Sequence, residues 1–465
     1  SANLERVSPV RDLWRAVSEA AWTGSLDVAA TWADQRDRSD RHDTGSLEPV
    51  TAGPGPGMTA TLWAGAKATA GIATMPLTLP ALTLAALGSA RRIGDRIDAF
   101  PDHLLAISNG SRPVLPGPRT TSLSSAHRYL ITSDLHRCIA GRLDWPQRQG
   151  VKELYAEVLA GYADDGWHLI ENGDVEDFWM VGGSTWGAVY DMAYLTGATV
   201  GPRRVEARRT LLGEHLSRIV ANNADVYRVL RDGFAADGRY HRTMGNHDDV
   251  FADEVMVERL AEHLGDVEVS DTILLRRTDS DDPAERSIDS VDAVVAHGHL
   301  TDSWNGHDVA ALGRAITWLA TGLDDLPRGG RRNGLPDPGA IERLLNRGAA
   351  NRLIAVDPRF GGNRRLDSLD EVRLFQRLDE RAPEGGWPWL VHGHTHFPML
   401  SPLDADDRPV RYANSGCGVL RGGFTALEWD ASNPDDPLRL VVWHQRDGVA
   451  TRTELVPDGD ALVAE

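Results

Sequence analysis

The chain has 465 residues and a formal net charge of −19, from 49 basic and 68 acidic residues. That balance argues against broad electrostatic capture of nucleic acid, which needs a basic face. Two cysteines, Cys138 and Cys417, are too few for a disulfide framework and fit a reducing compartment.

Residues 1–125 carry none of the motifs found further on and read as a partly helical N-terminal extension. "VRDLWRAVSEAAW" has helical spacing, and "TAGPGPG" (51–57) is a turn-rich joint. The segment 68–90, "ATAGIATMPLTLPALTLAALGSA", holds no charge. It is about long enough for a bilayer, which takes roughly 20 apolar residues. Thr, Ala and Gly dilute it, however, and Pro76 and Pro80 break it. A buried helix or a membrane-touching hairpin is favoured over a span. The opening "SANLERVSPVRDLW" lacks the apolar run of a secretory leader, so the expected location is cytoplasmic, with peripheral membrane contact through 68–90 as the alternative.

From Tyr129 the texture changes. "YLITSDLH" is an apolar strand ending in polar residues, and "VKELYAEVLAGYADDG" is an amphipathic helix. "WHLIENGDVEDFW" is a strand running into an acidic loop, and the stretch from Arg203 to Phe234 reads as helical. "RYHRTMGNHDD", "VDAVVAHGHL" and "WPWLVHGHTH" repeat the strand-then-polar pattern. Strand, crossover, strand is the mark of α/β layering, and open α/β sheets place their sites at the carboxyl ends of the strands. "FTALEWD", "LRLVVWHQ" and "ATRTELV" alternate and predict antiparallel strands near the C-terminus. Two inserts, 179–240 and 301–388, interrupt a domain spanning 126–460 and read as caps over a site or as peripheral helices.

Five strand ends carry metal-type donors: Asp134 and His136, Asp174, Asn246, His297, and the pair His394 and His396. Histidines two apart on an extended strand face the same way. Carboxylate, imidazole and amide donors without thiolate suit manganese, iron, zinc or magnesium. In order, D-x-H, G-D-x-x-D, G-N-H-D, a histidine-bearing strand end and G-H-x-H resemble the motifs of the calcineurin-like metallophosphoesterase superfamily, from about Tyr129 onward.

The resemblance implies a four-layer α/β/β/α sandwich of two mixed sheets between helices, around two divalent metal ions, with manganese favoured. One ion would take Asp134, His136, Asp174 and His396, the other Asp174, Asn246, His297 and His394, with Asp174 shared. It implies a phosphomonoesterase or phosphodiesterase acting through a hydroxide that bridges the metals. His247 would protonate the leaving oxygen, and Asp248 would orient it. Arg137 and His299 are candidates for phosphate contact, and His392 and Asn414 for support behind the ligands. "GDVEDFW" and "GNHDD" depart from the protein serine/threonine phosphatase pattern, and Asp177 stands where purple acid phosphatases carry a tyrosine ligand. The expected partner is a phosphorylated small molecule or nucleotide. A membrane-associated hydrolase of a lipid-linked phosphate or nucleotide pyrophosphate is the alternative, and a non-catalytic scaffold for phosphorylated ligands is the reading from another class.

Overall fold

A computed structural model describes residues 93–115, 119–141, 143–181, 186–191, 202–277, 286–302, 314, 317, 369–396, 398–401, 411–420, 422–433, 437–458 and 461–464. The segment 68–90 and most of the second insert lie outside these. Among the described residues, no helix is long and apolar enough to cross a membrane.

The strands run in chain order as β1 (Thr120–Ser124), β2 (Tyr129–Thr132), β3 (His168–Asn172), β4 (Tyr240–Thr243), β5 (Val269–Ser270), β6 (Thr272–Arg276) and β7 (Val291–Ala296). They continue as β8 (Trp389–His392), β9 (Pro398–Ser401), β10 (Tyr412–Ser415), β11 (Gly423–Trp429), β12 (Leu438–Arg446), β13 (Val449–Asp458) and β14 (Ala461–Ala464). They form an eight-stranded sheet, β14-β13-β12-β11-β2-β3-β4-β5, and a six-stranded sheet, β1-β6-β7-β8-β10-β9. Both are mixed. β2, β3, β4 and β5 are parallel and continue into antiparallel β11 to β14. In the second sheet β7, β8 and β10 are parallel, while β6 and β9 run against their neighbours β7 and β10.

Alternation along the strands explains the layering. Ile131, Ile170 and Leu427 of the first sheet meet Ile273, Val295 and Val391 of the second in one buried cluster between the sheets. The neighbours Leu130, Leu169 and Ala426 face the other way, into a cluster with the helices covering the eight-stranded sheet. Leu274, Val294 and Leu390 likewise face helices outside the six-stranded sheet. The result is helix, sheet, sheet, helix.

The outer helices are α1 (93–108), α2 (Lys152–Asp164), α3 (Pro202–Asn222), α4 (Ala224–Val229), α5 (Glu254–Leu264) and α6 (Leu369–Glu380). α5 shows why such a segment folds so. Asp253 caps its first turn by accepting from Val255 N, Gly265 follows its end, and Met256, Leu260 and Leu264 bury one stripe.

One expectation changes here, and of the two readings of the first insert the peripheral one is favoured. α1 packs Ile93, Ile97, Phe100, Leu104 and Ile107 into the outer core, and β1 pairs with β6, so the sandwich takes in residues N-terminal to 126. The first insert, from 202 on, is the crossover joining parallel β3 and β4. Leu212, Leu216, Ile219 and Tyr227 bury it against the helices and sheet below, so this part is an outer layer and not a cap.

Candidate metal centre

Asp134 and His136 follow β2, Asp174 follows β3, Asn246 and His247 follow β4, His297 follows β7, and His394 and His396 follow β8. Parallel β2, β3 and β4 bring the first five to one edge of their sheet, and parallel β7 and β8 bring the other three to one edge of theirs. Asp134, His136, Asp174, His394 and His396 all have left-handed backbone, with φ between 45° and 65°. Such backbone is uncommon outside glycine, costs about 1–3 kcal/mol per residue, and gathers at functional sites.

Small neighbours let the loops close. A Cβ on Gly245 would overlap Asp174, and one on Gly173 would come within 2.5 Å of the His297 ring.

Three groups of donors have ligand atoms within 4.8 Å of one another: Asp134, His136 and His396; Asp174, His297 and His394; and His136, Asp177 and His247. The first two have the membership of the expected sets, apart from the shared role of Asp174 and the amide of Asn246. His136 Nε2 lies 4.0 Å from Asp174 Oδ2, so the two groups adjoin. His136, His297 and His396 each engage Nδ1 elsewhere: with Asp177 Oδ2 at 2.9 Å, Asn172 O at 2.8 Å and Cys417 Sγ at 3.6 Å. Their Nε2 atoms turn into the common space. His136 Nε2 is 3.1 Å from His396 Nε2, His396 Nε2 is 3.2 Å from Asp134 Oδ1, and His297 Nε2 is 3.2 Å from Asp174 Oδ2.

Asp134 Oδ1, Asn246 Oδ1 and His297 Nε2 are buried without a hydrogen bond of proper alignment. Close approach without alignment is what donors do when they point at a third body. Buried polar atoms left orphaned cost about 1–3 kcal/mol each, and a cation would satisfy all three. The residues therefore fit a pair of divalent ions.

The electrostatics carry the same mark. Burial alone would raise the Asp174 and Asp134 carboxyls, but the imidazoles around them overcome it and hold both below the usual range. Burial opposes charge on His297, yet Asp174 and Asp134 push it up to about 9. His396 moves up as well: burial opposes its charge, and Cys417 and Asp134 outweigh that. The cluster thus favours positive charge among its carboxylates.

His247 Nδ1 is 2.9 Å from Asp177 Oδ2, and its ring stacks on Trp179 at 4.4 Å. Burial works against its charge, but Asp177 and Asp174 raise its pKa overall. Its side chain is 14 % exposed, against 12 % for His394 and 25 % for His396, while Asp134 and His297 are sealed. The site opens on the side of those three histidines.

Two expected roles do not hold. Asp248 does not orient His247. Its carboxylate instead accepts from Val175 N, Gly245 N and Arg242, and burial pushes its pKa up to about 6. Arg137 does not reach a phosphate position. Its backbone bridges to Glu176, and its guanidinium is buried against Glu171 and Glu176 among Tyr155 and Tyr227.

Asn414, His392 and His299 all lie close to the histidine ligand candidates. Asn414 Nδ2 donates to Gly393 O at 2.7 Å, and its Oδ1 accepts from Gly416 N, bracing the loop that carries His394. His392 is buried edge-on to Tyr412, held neutral with a pKa of about 3 by desolvation, behind the ligands. His299 is buried beside His297, ring centroids 5.5 Å apart.

Two residues that engage these histidines were given no role in the sequence reading. Asp177 serves both His136 and His247, and Asp302 takes Nε2 of His394 at 2.6 Å. The signal for Asp177 was present in "GDVED", where the second aspartate stands three residues after the first. No family model matches the chain, and no curated protein matches it.

Proposed function

We propose that the chain is a dinuclear metal-dependent phosphoesterase of the calcineurin-like type, hydrolysing a phosphomonoester or phosphodiester. The observation that carries this reading is the convergence of three Nε2 atoms and two carboxylates from four separate strand ends on one space. Asp134, His136 and His396 would hold one ion, and Asn246, His297 and His394 the other, with Asp174 between them. Manganese is the favoured metal for such oxygen- and nitrogen-rich donors. Bound in this way, the ions would supply Lewis-acid charge for phosphoryl oxygens and acidify water.

The chain's own groups do the rest. His247, at the open side, holds a proton for the leaving oxygen, and Asp177 fixes its Nδ1 so that Nε2 is the atom presented. Trp179 limits the tilt of that ring. Asp134 and His297 are sealed from bulk water, which strengthens every charge interaction inside.

The test is hydrolysis of p-nitrophenyl phosphate and bis(p-nitrophenyl) phosphate with manganese, zinc, magnesium and iron in turn. Turnover should vanish on chelation, return with metal, and be lost in Asp174→Ala and His396→Ala. Undiminished turnover in those variants would refute the assignment.

A further inference from the structure

Beneath the metal centre, away from its open side, lies a buried chain of charges. Asp248 and Arg242 are both almost wholly sealed, at 0 % and 1 % exposure. Asp248 Oδ2 accepts from Val175 N at 3.0 Å, and Oδ1 accepts from Gly245 N at 2.6 Å. Val175 directly follows Asp174, and Gly245 directly precedes Asn246. One carboxylate therefore ties the loop after β3 to the loop after β4, at the residues beside two ligands.

A buried carboxylate needs a counter-charge. Arg242 supplies it, with one terminal nitrogen 2.8 Å from Asp248 Oδ2, while its fork also grips Glu176. Arg242 belongs to β4 and Glu176 to the loop after β3, so this ion pair repeats the same tie. Arg137, next to His136, reaches Glu176 and Glu171 and draws in the loop after β2. Tyr227 donates to Glu176, and Tyr155 and Tyr240 donate to Glu171. The left-handed backbone of Asp174, at φ 51°, needs surroundings that over-determine it, and this network provides them.

We infer that the Asp248–Arg242 pair is a positioning device that sets Asp174 against Asn246 and so governs the second of two cation positions, the one formed with His297 and His394. The inference rests on the dinuclear reading above. It differs for the first position, whose other ligands Asp134, His136 and His396 come from loops that Asp248 does not touch.

The test is uptake of manganese by the full chain, measured by calorimetric titration of metal-free protein, together with amide exchange. Wild type should take two ions. Asp248→Asn and Arg242→Gln should bind one ion about 10- to 100-fold more weakly, the range for loss of outer-shell support, and the other, which shares only Asp174 with it, with a clearly smaller loss. Amide exchange at Val175 and Gly245 should rise in metal-free Asp248→Asn, with β12 unchanged. Arg242→Lys, which keeps charge and loses the fork, should fall between, and serves as the reading if Asp248→Asn does not fold. Folded variants that bind both ions as wild type does, or that weaken both equally, overturn the inference. A wild type that takes up no manganese removes the dinuclear reading itself and this inference with it.

Discussion

The rings of His136 and His247 meet edge to face, centroids 4.7 Å apart. They do so because both turn Nδ1 to one oxygen, Asp177 Oδ2, at 2.9 Å. The two imidazoles thus share a single orienting carboxylate, which also accepts from Trp179 N and Met180 N through its other oxygen.

Asp177→Asn should therefore damage two functions at once. The amide keeps the shape but loses the charge that raises His247 and can present N–H where an acceptor is needed. We expect kcat to fall at least about 10-fold, with metal affinity lowered about 10- to 100-fold, as for other outer-shell losses. Steady-state kinetics at saturating manganese separates the two effects: the loss of kcat should persist when metal is restored.

Gly245 is required for space. Its φ is not in the left-handed region, yet an added Cβ would collide with the carboxylate and the backbone nitrogen of Asp174. Gly245→Ala should displace Asp174 and abolish tight metal uptake. Gly166, with φ 75° and nothing within 4 Å of an added Cβ, gives the contrast. Gly166→Ala should cost about 1 kcal/mol of stability through backbone strain alone and leave metal uptake unchanged.

Arg137 is a buried ion partner, so its removal should read out as instability and not as lost substrate affinity. Stripping one side of a buried pair costs about 3–5 kcal/mol. Urea unfolding of Arg137→Ala should show that loss, and KM of the folded fraction should stay close to wild type. A large rise in KM with unchanged stability would return Arg137 to the substrate.

The pH dependence of the chelated protein follows from its histidines. His297, raised in the folded state to about 9 from an ordinary 6.5, stabilises fully below 6.5, and that contribution is lost as pH climbs toward 9. His103 and His168 are held neutral at about 4, and His215, His241 and His392 at about 3, all by burial. For these the unfolded chain binds the proton first, so stability declines as pH drops from 6.5 toward 3–4. Melting temperature of chelated protein should peak near pH 6.5. With manganese bound, cations replace the protons on His297 and His396, and the alkaline decline should disappear.

Much of this was legible because the chemistry sits at strand ends. Runs such as "YLIT" and "WLVH" announce buried strands, and the polar residues after them mark one edge of a parallel arrangement. α1 was missed although Ile93, Ile97, Phe100, Leu104 and Ile107 form a helical stripe, because Pro101 interrupts it and no motif lies near. Arg137 was misplaced because chain adjacency to His136 says nothing about direction: consecutive side chains at a strand end point to opposite sides. Asp248 was misassigned for the same reason, since His247 turns out to the open side while its neighbour turns down into Arg242. Asp302 left no signal at all, because its link to His394 spans 92 residues of chain.

The donors are divided between the two sheets: Asp134, His136, Asp174 and Asn246 hang from one, and His297, His394 and His396 from the other. Any cation gripped by both groups is a rivet through the seam where the halves of the molecule meet. Mechanical pulling on the two sheets, for example between handles on β12 and β6, should then meet a higher rupture force with manganese than after chelation, although no strand pairing has changed.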